Sequence, residues 1–349
     1  MGKIVFMLVA ICLCINLIIT NCYAADSDMS KELIVLAAPI SGDPYYADVL
    51  DDIFNFQVNY ARQIKKSNDD VLILVDEKVY ERYAEALGNE SVAVYPFLDI
   101  WMRDYGLSNA AFPVMFRYTS EAQGGGIAGQ NDADAVQNDL SALAKKVKLT
   151  FREIFLLNDG GNFVDDYEGN VVISRKFLRD NNLTESQAYT ELSRITDVKN
   201  VAFIESDEQG GLEHADGVVA FVDTNTVIIN SYTEDPEYAQ ALKNDLKRGL
   251  PDVIIYEVVT PYDAAKIYDK RFGSACGLYT NALVTPNRIY LPQFGIPEDK
   301  IALEQVRAAT TREVVPVSSA GVCVLGGGVR CMSWQLRGKN ARALLRFFE

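Results

Sequence analysis

From residue 33 onward the chain alternates short apolar runs with longer stretches of helical periodicity. Runs of strand length occur at Leu33–Ala38, Val71–Val75, Val92–Tyr95, Ile154–Leu157 and Val171–Ser174, and again at Val218–Val222, Val227–Asn230, Val253–Val258, Ala282–Thr285 and Ile289–Leu291. Many end in turn formers such as Thr285-Pro286-Asn287. Helices are predicted at Asp48–Lys65, Glu77–Leu87, Ala133–Lys146, Glu185–Ile195, Glu237–Arg248 and Glu298–Ala309. In the first of these, Val49, Ile53, Phe56 and Tyr60 share one side, so that face is expected in the core. The alternation predicts an α/β protein, but adjacent pairs such as Val218–Val222 and Val227–Asn230 look like hairpins and argue against a purely parallel sheet. A repeating unit of strands plus one helix, roughly one per sixty residues, fits the pattern better. Ser120–Asp134, rich in Gly, Ser, Gln and Asn, reads as a mobile surface loop. Its three glycines are no phosphate cradle, because no Gly-Lys-Ser/Thr follows. No linker or charged tail marks a domain boundary.

The first two dozen residues break this pattern. Lys3 precedes the apolar stretch Ile4–Ile19, and Cys22-Tyr23-Ala24 ends on a small residue, the order of a secretory signal. Residues 1–24 are therefore expected to be a signal peptide and residues 25–349 the catalytic domain. An uncleaved anchor helix and lipidation at Cys22 are the competing readings. Cleavage would place the protein outside the cytoplasm, secreted or periplasmic, with no stable membrane insertion. The net charge of −15 deepens by one when Lys3 leaves, since it is the only one of the 33 basic residues there and none of the 48 acids precedes residue 25. A surface that acidic repels nucleic acid and draws cations.

Of six cysteines, Cys276, Cys323 and Cys331 lie beyond the signal segment. An odd count excludes a complete disulfide framework and leaves at least one thiol free or paired with another chain; whether Cys276 and Cys323 pair stays open. The chain has one histidine, His214. Its second neighbour, Asp216, would share its face in an extended segment. One histidine with scattered acids makes no zinc set, and no calcium loop is present, so no metal is expected. Cys331 follows a run of glycines and Arg330, a setting in which a thiolate could be stabilised. With the lone histidine it forms a Cys/His candidate pair. Trp101-Met102-Arg103-Asp104-Tyr105-Gly106 sets an acid among large aromatics, and Asn158-Asp159-Gly160-Gly161-Asn162 joins an acid to paired glycines. Taken singly, each of the last two reads as a turn carrying a structural acid.

In this order, Trp101–Gly106, Asp159–Asn162, His214–Asp216 and Gly326–Cys331, with the weaker Gly277–Leu283, resemble the agmatine deiminase and bacterial peptidylarginine deiminase family of the guanidino-group-modifying superfamily. The resemblance implies a five-bladed α/β propeller of pentein type with a central active site and no cofactor. It also implies roles for individual residues. Asp104 and Asp216 would grip the guanidinium, Cys331 would attack its carbon, and His214 would protonate departing ammonia and then activate water. Asp159 would support His214, and Asn281 would lie near the nucleophile. Trp101 supplies a wall against which a flat cation stacks, and Arg117 is a candidate for a substrate carboxylate. The chain departs from the family where Arg330 replaces the usual His before the cysteine, where Leu107 replaces Pro, and where Asp159 replaces Glu. Arg330 beside the site would either repel substrate or pair with a substrate carboxylate.

The expected reaction is hydrolysis of a guanidinium to a ureido product and ammonia, with peptidyl-arginine preferred as substrate because export places the enzyme among peptides. Agmatine deimination to N-carbamoylputrescine, a secreted cysteine peptidase, and a catalytically silent binding protein are the alternatives.

Overall fold

The computed structural model describes residues 31–195, 197–207, 211–263 and 266–349; the expected signal segment lies outside them. The strands form five separate sheets. The first contains β1 (Glu32–Ala37), β2 (Asp70–Val75), β3 (Val92–Val94) and the last strand of the chain, β15 (Trp334–Arg337). The second pairs β4 (Val114–Arg117) with β5 (Arg152–Leu157). The third holds β6 (Val164–Asp165), β7 (Asn170–Ser174) and β8 (Asn200–Ile204). The fourth holds β9 (Val219–Asp223), β10 (Thr226–Asn230) and β11 (Ile254–Val258), and the fifth β12 (Leu283–Val284), β13 (Arg288–Gln293) and β14 (Glu313–Ser318).

One connectivity recurs. An antiparallel step is followed by a helical crossover to a parallel third strand, as in β6-β7-β8, β9-β10-β11 and β12-β13-β14. In the second sheet an isolated antiparallel bridge, Ser108 to Val114, stands for the first step. In the first sheet β15 supplies it, pairing antiparallel with β1 before β1 runs parallel to β2. The far end of the chain thus completes the unit that its beginning leaves unfinished.

The crossover helices are α1 (Leu50–Lys66) between β1 and β2, α2 (Tyr80–Leu87) before β3, and α4 (Gly126–Val147) between β4 and β5, with the short α3 (Met102–Tyr105) preceding β4. Next come α5 (Lys176–Asn181) and α6 (Glu185–Ile195), α7 (Pro236–Gly249) and α8 (Glu298–Ala308); α9 (Gly338–Phe348) follows β15. Each of the six predicted helices corresponds to one of these. In α1, Ile53, Phe56 and Tyr60 are buried with Val49 just before it, as their spacing requires.

The structure departs from the expectation in both loops and strands, and β4, β6, β8, β14 and β15 all lie outside the predicted runs. Ser120–Asp134 is not a loop throughout: a 3-10 turn at Glu121–Gln123 leads into α4, whose first residue is Gly126. The side-chain amide of Gln130 donates to the Tyr118 carbonyl and to Asp134, supplying local order that small polar residues do not advertise. Strand β15 is unpredicted because its alternate residues are polar yet buried. Gln335 donates to Glu32 at 2.8 Å and Arg337 to Glu32 at 2.6 Å, in a layer of paired charges that apolar patterning cannot detect.

Candidate active site

The five candidate segments occupy one recurring place, the loop just before the first antiparallel step of a unit. Asp104 lies before the Ser108 bridge, Asp159–Asn162 before β6, Asp216 before β9, Asn281 before β12 and Cys331 before β15. Each chemical group thus comes from a different unit, and loops of equivalent position converge. Trp101, Asp104, His214, Asp216, Asn281 and Cys331 all line one cavity of about 760 Å³.

Hydrogen bonds between loops hold this convergence. The backbone N–H of Arg103 donates to the carbonyl of Cys331 at 3.1 Å, tying the Asp104 turn to the thiol-bearing turn. Asn162 accepts at Oδ1 from the N–H of Ser174 at 2.8 Å and of Ala215 at 3.3 Å, which positions the residue after His214. Asn230 and Thr280 both donate to the carbonyl of Gly217, at 2.7 and 2.9 Å, from the far side of Asp216. His214 and Asp216 share the cavity, but not through an extended segment: Ala215–Gly217 is a 3-10 turn, with extended backbone only at His214.

The imidazole lies between two acids. Its Nε2 is 2.9 Å from Oδ2 of Asp159, and its Nδ1 is 3.7 Å from Oδ1 of Asp104. Asp159 is fixed by the N–H and the hydroxyl of Thr119, both at 2.8 Å. Asp104 accepts from the N–H of Gly161 at 3.1 Å. Burial favours the neutral ring, but Asp104, Asp159 and Asp216 together raise the His214 pKa to about 10. Burial likewise pushes the Asp104 carboxyl up to about 7, with His214 opposing. The ring is therefore a cation at neutral pH and able to donate from both nitrogens.

Gly161 permits this arrangement. A Cβ there would lie 2.5 Å from Nδ1 of His214 and 2.8 Å from Oδ1 of Asp104. Gly327 does the same on the other side, where a Cβ would approach the Trp101 ring at 2.7 Å and Sγ of Cys331 at 2.9 Å. The paired glycines are close-approach positions.

Cys331 is buried and, among the described residues, is the free thiol, because Cys276 and Cys323 form a disulfide. Nδ2 of Asn281 donates to Sγ at 3.0 Å, and its Oδ1 is buried with no hydrogen-bond partner. Burial, then the charges of Asp216 and Asp104, hold the thiol well above its ordinary pKa. At rest it is protonated; a cation brought between those carboxylates would offset their charge and lower the thiol pKa.

The structure corrects two expectations about cations. Arg117 does not line the cavity: it pairs with Asp134 at 2.7 Å on the flank of α4. Arg330 does not line the cavity. It is buried behind Asp216, donating to Oδ2 of Asp216 at 3.3 Å and to the Phe163 carbonyl at 2.9 Å. The one Lys or Arg among the lining residues is Arg271, itself paired with Asp269 at 2.6 Å. Thr119, Asn230 and Thr280 are supporting residues that sequence reasoning did not single out as functional. Their signal was position alone, at or just beyond strand ends and in loops. Among the described residues, no group of three or more His, Cys, Asp or Glu side chains is arranged to hold a metal ion, and no helix is long and apolar enough to cross a membrane.

Comparisons with known proteins give the fold and the family. A Marinomonas sp. protein provisionally named agmatine deiminase is 24% identical over 304 residues, covering 76% of this chain and 81% of that protein. The agmatine deiminase of C. jejuni superposes with a TM-score of 0.72 at 19% identity, over 89% of this chain and 95% of its own. That of Enterococcus faecalis gives 0.69 at 19% identity, over 89% and 94%. These likenesses establish the mixed α/β fold. Residues 26–336 match the family described as Porphyromonas-type peptidyl-arginine deiminase. The chain belongs to that family, hydrolases that act on carbon–nitrogen bonds of amidines.

Proposed function

We propose that this guanidine deiminase acts on peptidyl-arginine, converting it to citrulline and ammonia through a covalent adduct on Cys331. The observation that carries the reading is the charge arrangement of the cavity. Three carboxyl groups, Asp104, Asp159 and Asp216, gather around the His214 ring, and Asp104 and Asp216 line the cavity, where a guanidinium meets both. A guanidinium is planar and always charged, so Asp104 and Asp216 suit it as a pair of acceptors, with Trp101 as a stacking wall. The orphaned Oδ1 of Asn281 is a further acceptor.

Bound cation favours loss of the Cys331 proton to solvent water, and sulfur forms a bond to the guanidinium carbon. The carbon–nitrogen bond then breaks, and the nitrogen leaves as ammonia with a proton from His214. Water, deprotonated by His214, attacks the thiouronium carbon; the carbon–sulfur bond breaks, leaving the ureido product and the thiol. An imidazole held by carboxylates on both nitrogens fits ammonia protonation better than the thiol-paired imidazole of a cysteine peptidase. The displacement of Arg330 from the cavity removes the feature that favoured a silent binding protein.

Cavity size supports a substrate larger than a free diamine derivative, since about 760 Å³ exceeds what one small guanidine fills. Agmatine is the second reading, favoured by the names of the relatives and by Asp43, Asp207, Glu234 and Asp235 around the cavity, which suit a second positive charge. The five sheet units are read as the blades of one propeller, and residues 25–349 as its single catalytic domain. Export after a cleaved signal peptide completes the proposal. It is supported by the N-terminal pattern and by a disulfide, which persists in oxidising compartments. Incubation with a blocked arginine peptide and with agmatine, measuring citrulline and N-carbamoylputrescine, tests the substrate. Faster turnover of agmatine overturns the preference for peptide.

A further inference from the structure

Arg330 is chemically odd in its setting. It is 7% exposed and adjoins a second buried guanidinium, Arg103, whose pKa is pushed down to about 10 by burial first and by the charge of Arg330 next. Two buried like charges are unfavourable unless anions and acceptors compensate them. The compensation is specific. One terminal nitrogen, Nη1, donates to Oδ2 of Asp216 at 3.3 Å, and the other, Nη2, donates to the carbonyl of Phe163 at 2.9 Å. Phe163 directly follows the Asp159–Asn162 turn, Asp216 sits in the turn before β9, and Arg330 precedes the free thiol in sequence. One planar fork therefore joins the loops of three units, from the side away from the cavity.

We propose that Arg330 is a positioning residue that orients Asp216 for guanidinium binding. Holding Oδ2 leaves Oδ1 as the oxygen for substrate. It also divides the acids between two counter-charges, His214 for Asp104 and Asp159, and Arg330 for Asp216. The guanidinium fork matters because Lys cannot bridge two acceptors with the same fixed geometry. This inference rests on the deiminase reading of the cavity, since it is a guanidinium that Asp216 is oriented to meet.

The test is a double-mutant cycle on binding, run in the full chain carrying Cys331→Ser so that no turnover intervenes, with agmatine and a blocked arginine peptide as calorimetric probes. Arg330→Gln is expected to weaken binding at least tenfold, and Arg330→Lys to recover part of the loss. In an Asp216→Asn background, Arg330→Gln should cost less than twofold more, because its effect passes through the carboxylate. A merely structural role predicts the same tenfold loss in both backgrounds, and that result overturns the inference. So does binding by Arg330→Gln within twofold of the parent. If Arg330→Gln does not fold, Arg330→Lys takes its place in the cycle and is judged by the same comparison. If the parent binds neither probe, the deiminase reading falls and the inference with it; if the parent binds and the cycle shows no coupling, only the inference falls.

Discussion

Nε2 of His214 stands 2.9 Å from Oδ2 of Asp159, and this contact fixes which proton the ring can give away. With Asp104 near the other nitrogen, the imidazole is held as a cation in a buried site. On the proposed mechanism, the leaving nitrogen takes its proton from this ring. Removing the charge of Asp159 while keeping its shape, as Asp159→Asn, should lower kcat by roughly 10²-fold and shift the basic limb of the rate profile to lower pH. A pH–rate profile of ammonia release checks both; an unmoved basic limb would exclude Asp159 as the source of the ring's basicity.

The same charges make stability depend on pH. The folded His214 pKa of about 10 lies above its ordinary 6.5, so the stabilisation it brings is complete below about 6.5 and is lost as pH rises toward 10. Asp104, raised from 3.8 to about 7, acts in the same direction at lower pH, because the native state keeps a proton that the unfolded chain has lost. The urea midpoint should therefore fall with rising pH, and His214→Gln should flatten the decline above pH 7. Parallel curves for the two proteins would contradict the assigned protonation state.

Cys331 should react selectively with cationic electrophiles. Its thiol is protonated at rest, so an uncharged haloacetamide is expected to react slowly at neutral pH. A haloacetamidine brings positive charge to the cavity beside Asp104 and Asp216, and should label Cys331 at least tenfold faster. Mass spectrometry should find a single adduct, absent in Cys331→Ala. Equal rates for the two reagents would sever the link between bound cation and thiolate.

Two glycines should prove intolerant of a methyl group. Gly161→Ala places a carbon inside contact distance of both His214 and Asp104, and Gly327→Ala does so at Trp101 and Cys331. Each is expected to cost about 1–3 kcal/mol of stability by overpacking, or to displace the catalytic side chains instead. Thermal melting and ammonia release measured together distinguish the two, and a variant normal in both would refute the close approach.

The Cys276–Cys323 disulfide spans 47 residues and ties the segment before Asn281 to the turn before the Gly326–Gly328 run. Loop-closure entropy assigns such a cross-link about 4 kcal/mol. Replacing both cysteines with serine should lower the unfolding free energy by that order and leave Cys331 as the one titratable thiol among the described residues. An unchanged denaturation curve would show that the cross-link contributes nothing to stability.

Much of the site was legible along the chain because its side chains are irreplaceable and few. One histidine admits no choice, and an odd thiol count requires a free cysteine. Turn residues such as Asp159-Gly160-Gly161-Asn162 carry their conformation locally. The helices were legible because a buried stripe repeats every three or four residues, as in Ile53, Phe56 and Tyr60. Strand β15 escaped notice because Gln335 and Arg337 face buried partners, and helix α4 extended into a stretch whose order comes from side-chain amides. Arg117 was misread for a related reason: an arginine's chemistry is visible in sequence, but the partner that occupies it is not.

Chain order and residue type were enough to nominate the candidate groups: Cys331, His214, Asp104, Asp216, Asp159 and Asn281. Tertiary structure alone decided that loops of equivalent position in successive sheet units converge, that β15 closes the first unit, and that Cys276 meets Cys323. It also decided that Arg330 lies behind Asp216 rather than along the cavity. The reason is distance along the chain. Turn chemistry and helix periodicity act over a few residues, whereas Arg330 and Asp216 are separated by 114 and meet only after the units between them have packed.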